Sequence, residues 1–118
     1  MKIRSLDHLV LTVSDLDATV AFYERLGMRH VVFGEEARHA LEFGSQKLNL
    51  HVAGHEFEPK AAVAAPGTAD LCFLVDELAV DGLDIVHGPV EVTGTTGSMR
   101  SLYVRDPDGN LVELSVLL

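Results

Sequence analysis

The sequence has little cysteine, little positive charge and no long hydrophobic run. Its single cysteine, Cys72, cannot form an internal disulfide, and its apolar neighbours predict a buried, unreactive thiol. Nine Lys and Arg stand against 18 Asp and Glu, and this formal net charge of −9 disfavours nucleic acid and anionic membranes as partners. No stretch approaches the roughly 18 apolar residues of a membrane span, and the first residues lack the apolar run of a signal peptide. We therefore expect a cytoplasmic protein.

The residues that are present predict a small α+β fold. Of the 118 residues 47% are hydrophobic, which is enough for one core. Short segments rich in Leu, Val and aromatic residues predict four strands in the first half: 6–13, 28–33, 37–43 and 46–53. Ser14 with Asp17 is typical of a helix start, and Gly27 is typical of a helix end. The predicted order of the first half is therefore βαβββ.

The second half repeats this order after a connection rich in Pro, Gly and Ala. Strands are predicted at 68–75, 85–92, 99–105 and 110–117, with a helical turn or two at 76–83. An offset of 62 residues aligns the two halves. We predict one domain over 1–118, with a first βαβββ module at 1–53, a linker at 54–67 and a second module with a shortened helix at 68–118.

The same offset superimposes ionisable residues that lie inside apolar strands. His8 falls on Asp70, and His51 falls on Glu113. Because side chains alternate across a strand, each of these groups points away from the continuous apolar row. Imidazole nitrogens and carboxylate oxygens from four strands are ligands suited to a divalent ion. Taken singly, a strand histidine is more often structural and a terminal-strand glutamate more often exposed, so both interpretations stay open.

Three motifs resemble the vicinal oxygen chelate superfamily, which includes glyoxalase I, extradiol dioxygenases and bleomycin-binding proteins. They are residues 6–16, residues 22–28 and residues 103–114 around the Asp106-Pro107-Asp108-Gly109 turn. Residues 47–51 and 56–61 are similar to glyoxalase domain-containing or dioxygenase-related members. The resemblance implies two βαβββ modules whose curved mixed sheets form a cup around a divalent metal, which could be Zn, Ni, Mn or Fe.

The resemblance also implies the metal ligands. His8 matches the ligand of the first strand, and Glu113 matches the glutamate after the turn. Asp70 stands where the family has a histidine. Either Asn49 or His51 matches the remaining ligand, and the 62-residue offset and the stronger imidazole donor favour His51. The predicted metal set is therefore His8, His51, Asp70 and Glu113.

These assignments predict a divalent-metal-dependent enzyme that acts on a small molecule with vicinal oxygens, by lyase, isomerase or ring-cleaving chemistry. Glu113 and Asp70 are the candidate catalytic carboxylates, and Asn49, Ser101 and Tyr103 are the candidate substrate contacts. The alternative is a metal-free small-molecule or drug-binding protein of the bleomycin-resistance type, which the Asp70 substitution favours. We expect a homodimer, since exposed sheet edges need closure, with modules paired within one chain or exchanged between two.

Overall fold

The structure, a computed structural model, describes all residues from 1 to 118 and divides into two compact units. The N-terminal unit is Met1–Gly67 and the C-terminal unit is Thr68–Leu118. Each unit contains one four-stranded mixed sheet, and the only helix lies in the N-terminal unit. The predicted α+β class with two sheet-containing modules is confirmed. No helix is both long and apolar enough to cross a membrane.

The N-terminal unit has the predicted order of one helix and four strands. The elements are β1 (His8–Val13), α1 (Leu16–Arg25), β2 (Arg29–Phe33), β3 (Arg38–Phe43) and β4 (Gln46–Val52). The strand order in the sheet is β1-β4-β3-β2, with β1 parallel to β4 and the other pairs antiparallel. The final strand of the unit therefore lies inside the sheet, and the first strand is an edge.

Helix α1 starts one residue later than the sequence predicts. Asp15, not Ser14, is the N-cap: its backbone is extended, and its Oδ1 accepts a hydrogen bond of 3.0 Å from the Ala18 amide. An aspartate at this position satisfies a free amide and also complements the positive end of the helix dipole. At the other end, Gly27 adopts a φ of +96° that β-carbon-bearing residues disfavour, and the helix stops before it.

Thr19 is an imperfect fit in the helix because its hydroxyl is buried without a hydrogen-bond partner. The residue is 0% exposed, and Oγ1 has no partner. Valine has the same shape but no hydroxyl, so Thr19→Val is expected to stabilise the protein by about 1 kcal/mol. Urea unfolding measures the gain as a higher midpoint at unchanged slope. Thr19→Ser is the matched control, since it keeps the hydroxyl and loses the methyl, and it should be destabilising; equal stability of Thr19→Val and wild type would contradict the assignment.

The C-terminal unit repeats the sheet but not the helix. Its strands are β5 (Asp70–Leu74), β6 (His87–Gly94), β7 (Gly97–Arg105) and β8 (Leu111–Leu117), in the order β5-β8-β7-β6 with β5 parallel to β8. The predicted helical turns at 76–83 are absent, and that prediction is wrong. The segment is too short for a helix that is stable by itself, and Gly82 has a φ of +78° within it.

The turn between β7 and β8 is tied to the start of β5 by a buried hydrogen-bond network. Asp106 and Asn110 are 5% and 1% exposed. One Asp106 oxygen accepts from the Asp108 and Asn110 amides at 3.0 and 2.9 Å, and the other accepts from the Asn110 side chain at 2.7 Å. The side-chain oxygen Oδ1 of Asn110 in turn accepts a hydrogen bond of 2.8 Å from the Ala69 amide. Asn110 therefore joins the turn to the strand that carries Asp70.

Candidate functional site

Each sheet has an apolar face and a polar face. In the C-terminal unit the apolar face carries four residues that are at most 5% exposed: Leu102, Val104, Val112 and Leu114. The strand register places Cys72 and Tyr103 on either side of Glu113, and Ser101 beside Ser115. We call this side of the sheet the polar face; its members are Asp70, Cys72, Ser101, Tyr103, Glu113 and Ser115.

Glu113 lies at the centre of a hydrogen-bond network on this polar face. Ser115 Oγ donates to Glu113 Oε2 at 3.1 Å. Ser101 Oγ lies 2.6 Å from Ser115 Oγ, and Cys72 Sγ lies 3.3 Å from the same oxygen. Because an ionised carboxylate only accepts, the one Ser115 proton points to Glu113, and Ser115 Oγ accepts from both Ser101 and Cys72. The donors therefore form a chain with one direction, toward Glu113.

This network keeps Glu113 ionised. Burial raises the pKa of Glu113, but the surrounding hydrogen-bonding side chains Ser101, Tyr103, Ser115 and Cys72 together outweigh it and leave the pKa below its ordinary value. The bond to Glu113 is also the main cause that raises the pKa of Tyr103, so its phenol stays protonated and donates. A permanently charged, oriented carboxylate is better suited to ligating a cation than to accepting a proton.

Cys72 differs from its predicted environment, because the structure exposes it on the polar face. Its apolar neighbours Leu71 and Phe73 belong to the other face, since side chains alternate along β5. The prediction of a buried thiol is therefore wrong. Desolvation nevertheless raises the pKa of the Cys72 thiol, so its predicted low reactivity agrees with its surroundings.

A cavity of about 510 Å³ opens on the polar face within the C-terminal unit. That volume falls in the range of small-molecule sites. Its lining consists of one carboxylate, hydroxyls, two sulfur-containing side chains and aliphatic groups: Glu113, Tyr103, Thr93, Thr95, Thr96, Cys72, Met99, Leu74 and Val92, together with Gly94. The cavity therefore combines a charged anchor, hydrogen-bonding groups and apolar walls.

Removing the Ser115 hydroxyl tests the network. Ser115→Ala is expected to raise the pKa of Glu113, because the carboxylate loses a direct donor. A carbon-13 NMR titration of the Glu113 carboxyl measures this shift. A lowered native pKa stabilises the fold above the unfolded glutamate value of about 4.3, and this contribution disappears as pH falls through the native pKa. The stability gap between wild type and variant should therefore narrow on acidification.

The control for this titration is Ser98→Ala, which changes an exposed serine on the neighbouring strand β7. It should leave the Glu113 pKa where it is in the wild type. An unchanged Glu113 pKa in Ser115→Ala would show that the Ser115 hydroxyl does not control the charge of the carboxylate.

The polar face of the N-terminal unit carries His8, Thr12, Arg38, Lys47, Asn49 and His51. The register pairs His8 with Lys47, Val10 with Asn49 and Thr12 with His51. In the C-terminal unit, Glu113 pairs with Cys72, two residues after Asp70. If His8 corresponds to Asp70, the residue that corresponds to Glu113 is therefore Asn49 and not His51. The single offset of 62 residues, which aligns His51 with Glu113, therefore does not describe the alignment of β4 with β8.

His51 is packed rather than open. It is 8% exposed, and its ring lies 5.4 Å from the ring of Phe57, whose other contact is the Arg38 guanidinium at 4.2 Å from the ring centre. Desolvation, and then the charge of Arg38, lowers the pKa of His51. His8 pairs with Lys47, and His51 lies four residues further along β4, which is about 13 Å in the strand direction. These contacts indicate that His51 packs against Phe57 in the segment after β4.

His8 and Asn49 carry features of a metal ligand. The exposed His8 places Nδ1 2.8 Å from Asp7 Oδ2, so Nδ1 holds the proton and Nε2 is left as an acceptor. This carboxylate–imidazole pairing is common behind metal-binding histidines. Asn49 Oδ1 is buried and has no hydrogen-bond partner, and an amide oxygen is a good ligand for hard cations. The donor chemistry of both side chains therefore fits a divalent ion.

The structure brings together part of the predicted site. Ser101, Tyr103 and Glu113 meet in one network, and Asp70 shares their face. No group of three or more His, Cys, Asp or Glu side chains is arranged to hold a metal ion. The metal set of His8, His51, Asp70 and Glu113 stays a prediction. Sequence reasoning missed Ser115 and Cys72, although strand alternation from Glu113 and Asp70 places both on the polar face.

Comparison with known proteins gives a consistent match over nearly the whole chain. The model of the Glyoxalase/Bleomycin resistance protein/Dioxygenase superfamily matches residues 5–114. Glyoxalase domain-containing protein RDO1 of Mycosarcoma maydis is 54% identical over 123 residues, which cover 98% of this chain and 69% of that protein. These matches agree with the resemblance carried by the sequence motifs.

Two further relatives bear on the fold and on the chemistry. Virulence protein STM3117 of Salmonella typhimurium is 53% identical over 98% of this chain and 85% of its own. Its crystal structure superimposes with a TM-score of 0.91 at 50% identity over all of both chains. Metallothiol transferase FosB of Shouchella clausii is 28% identical over 95% of this chain and 80% of its own.

Proposed function

The chain belongs to the Glyoxalase/Bleomycin resistance protein/Dioxygenase superfamily, and from this premise we propose that it is a divalent-metal-dependent enzyme acting on a small molecule with two adjacent oxygen atoms. The observation that carries the proposal is Glu113, a carboxylate that the Ser115 hydroxyl holds by a hydrogen bond of 3.1 Å at a cavity of about 510 Å³. The relation to a metallothiol transferase supports metal dependence.

Glu113 is the proposed metal ligand of the C-terminal unit, with Asp70 on the same polar face. Hydrogen bonds to a ligating carboxylate fix its orientation, which is the part Ser115 and Tyr103 take here. In the N-terminal unit we propose His8 through Nε2, and Asn49 in preference to His51. When bound, the ion would act as a Lewis acid toward the two substrate oxygens.

The other residues hold the substrate and its protons. Tyr103 donates its proton to Glu113, so its phenol oxygen is left to accept a hydrogen bond from a substrate hydroxyl in the cavity. Asp70 is an exposed carboxylate on the same face and is the proposed proton acceptor, because Glu113 is already engaged by the Ser115 hydroxyl. Ser101 is fully buried and acts through Ser115 rather than by touching substrate, which differs from its predicted role.

Metal titration tests the proposal. Protein purified without chelator is titrated calorimetrically with Zn²⁺, Ni²⁺, Mn²⁺ and, without oxygen, Fe²⁺. We expect stoichiometric binding of at least one of these ions and a clear loss of affinity in His8→Ala. His55→Ala is the matched control, since His55 is an exposed histidine of the N-terminal unit that follows β4. Absence of binding by all four ions would refute metal dependence.

The second candidate is a metal-free binding protein for a small molecule. It is favoured by the absence of a preformed group of three metal-binding side chains and by the presence of Asp70 where the family has histidine. Ligand binding that is unchanged by EDTA and by His8→Ala would select this candidate.

We further propose a cytoplasmic homodimer. In each sheet the first strand is an edge with one free side, which pairing with another strand or a second chain would cover. Sedimentation at micromolar concentration should give twice the 12.8 kDa mass of the chain. A single species of 12.8 kDa would refute the dimer.

A further inference from the structure

The C-terminal unit is far more acidic than the rest of the chain. Residues 68–118 contain nine Asp and Glu and two Arg, which account for seven of the nine net negative charges. Glu113 is the only charged side chain that lines the cavity. A ligand that enters the cavity therefore meets negative charge and no cationic partner in this unit.

The two arginines of the unit are engaged elsewhere. Arg100 points to the opposite face of the sheet, where its guanidinium lies 3.5 Å from Glu91. Arg105 donates to the Gly109 carbonyl at 3.3 Å. His87 packs against Tyr103, with 5.5 Å between the ring centres, and does not belong to the cavity lining. Neither arginine lines the cavity, although the register places Arg105 on the polar face near Asp70.

The remaining lining shows what the cavity does accommodate. Three threonines, Thr93, Thr95 and Thr96, contribute hydroxyls to the cavity lining. Leu74, Val92 and Met99 contribute aliphatic and thioether surface. Hydroxyls bind neutral oxygen groups, and apolar walls bind a compact hydrocarbon body. A bound divalent ion would offset the two negative charges of Asp70 and Glu113, so the charge argument applies to the metal-free cavity.

We propose that this cavity selects vicinal-oxygen ligands that carry no negative charge, and that it rejects carboxylate-bearing versions of the same ligands. The inference rests on the proposed small-molecule function, and it is made for the metal-free protein. Like charges buried without a counter-ion repel each other, and a carboxylate must also lose water to enter. The discrimination therefore comes from Glu113 and from the absence of a basic group in the lining.

Three probes that share two adjacent oxygens and one ring test the inference: catechol, 3,4-dihydroxybenzoate and 3,4-dihydroxybenzylamine. Calorimetry at pH 7 is run on metal-free protein. We expect 3,4-dihydroxybenzoate to bind at least 10-fold more weakly than catechol, and the amine to bind at least as tightly as catechol. Salt at 1 M should reduce the difference, because it screens charge.

A variant that adds a positive charge to the cavity lining, together with its control, tests where the discrimination against the benzoate arises. Thr95→Lys places a cation in the lining and should remove the 10-fold deficit of the benzoate. Ser98→Lys adds the same charge in the same hairpin but outside the lining, and should leave the deficit in place. Equal binding of all three probes to wild type would overturn the inference while leaving the small-molecule function intact. Binding of none of them at millimolar concentration would count against both.

Discussion

Replacing Glu113 by glutamine is expected to weaken the binding of a divalent ion by about 100-fold or more. Loss of a hydrogen-bond partner behind a metal ligand typically costs 10- to 100-fold, and loss of the ligand itself costs no less. Glutamine keeps the shape of glutamate but removes the negative charge. Its amide also presents a donor to the Ser115 hydroxyl, which points at the carboxylate in the wild type. Calorimetric titration with the ion that binds wild type most tightly gives the ratio.

Glu91→Gln is the matched control for this experiment. Glu91 lies in the same sheet but on the other face, where it contacts Arg100 at the surface. This control removes one negative charge from the same unit, so it accounts for the general electrostatic effect on a cation. An affinity that falls equally in both variants would show that Glu113 acts only through net charge, and an unchanged affinity in Glu113→Gln would exclude it as a ligand.

Asn110→Ala is expected to lower the free energy of unfolding by about 3 kcal/mol. The substitution removes the side-chain donor to Asp106 Oδ2 and the acceptor of the Ala69 amide. Both positions are buried or half-buried, and an unsatisfied buried group costs about 1–3 kcal/mol, with more for a charged one. Urea unfolding measures the loss. The Ala69 amide should also lose its protection from hydrogen exchange.

A double-mutant cycle with Asp106→Ala separates this network from general damage to the turn. Because the two side chains contact each other, we expect the double variant to lose much less stability than the two single variants together. Additive losses would mean that Asn110 and Asp106 stabilise the turn independently. A loss below about 1 kcal/mol in Asn110→Ala would contradict the role of Asn110 in joining the turn to β5.

The strands could be predicted from the sequence because their pattern is local. Alternating and continuous apolar segments located all eight strands to within a few residues. The helix prediction at 76–83 was wrong for a physical reason. Two turns of helix gain too few hydrogen bonds to offset the cost of nucleation, so tertiary contacts decide such a segment, and these cannot be read from its own residues.

The sequence predicts which face of a strand each candidate site residue occupies, because side chains alternate along a strand, but it does not predict how the strands align. Alternation correctly put Glu113 and Asp70 on one face, and it would also have put Cys72 and Ser115 there. It could not choose between Asn49 and His51, since both have the same parity on β4. That choice depends on the register between β1 and β4, which are about 40 residues apart in the chain and are aligned by contacts across the sheet.

The interior position of β4 and β8 determines the order in which the sheets can form on the ribosome. Each is the last strand of its unit, and each is the only strand that hydrogen-bonds to the first one. During synthesis β1 has no partner until residues 46–52 emerge, and β5 has none until residues 111–117 emerge. The N-terminal sheet can therefore close while the C-terminal unit is still being translated. A premature stop before β8 would leave β5 without a partner and expose the edge of β7.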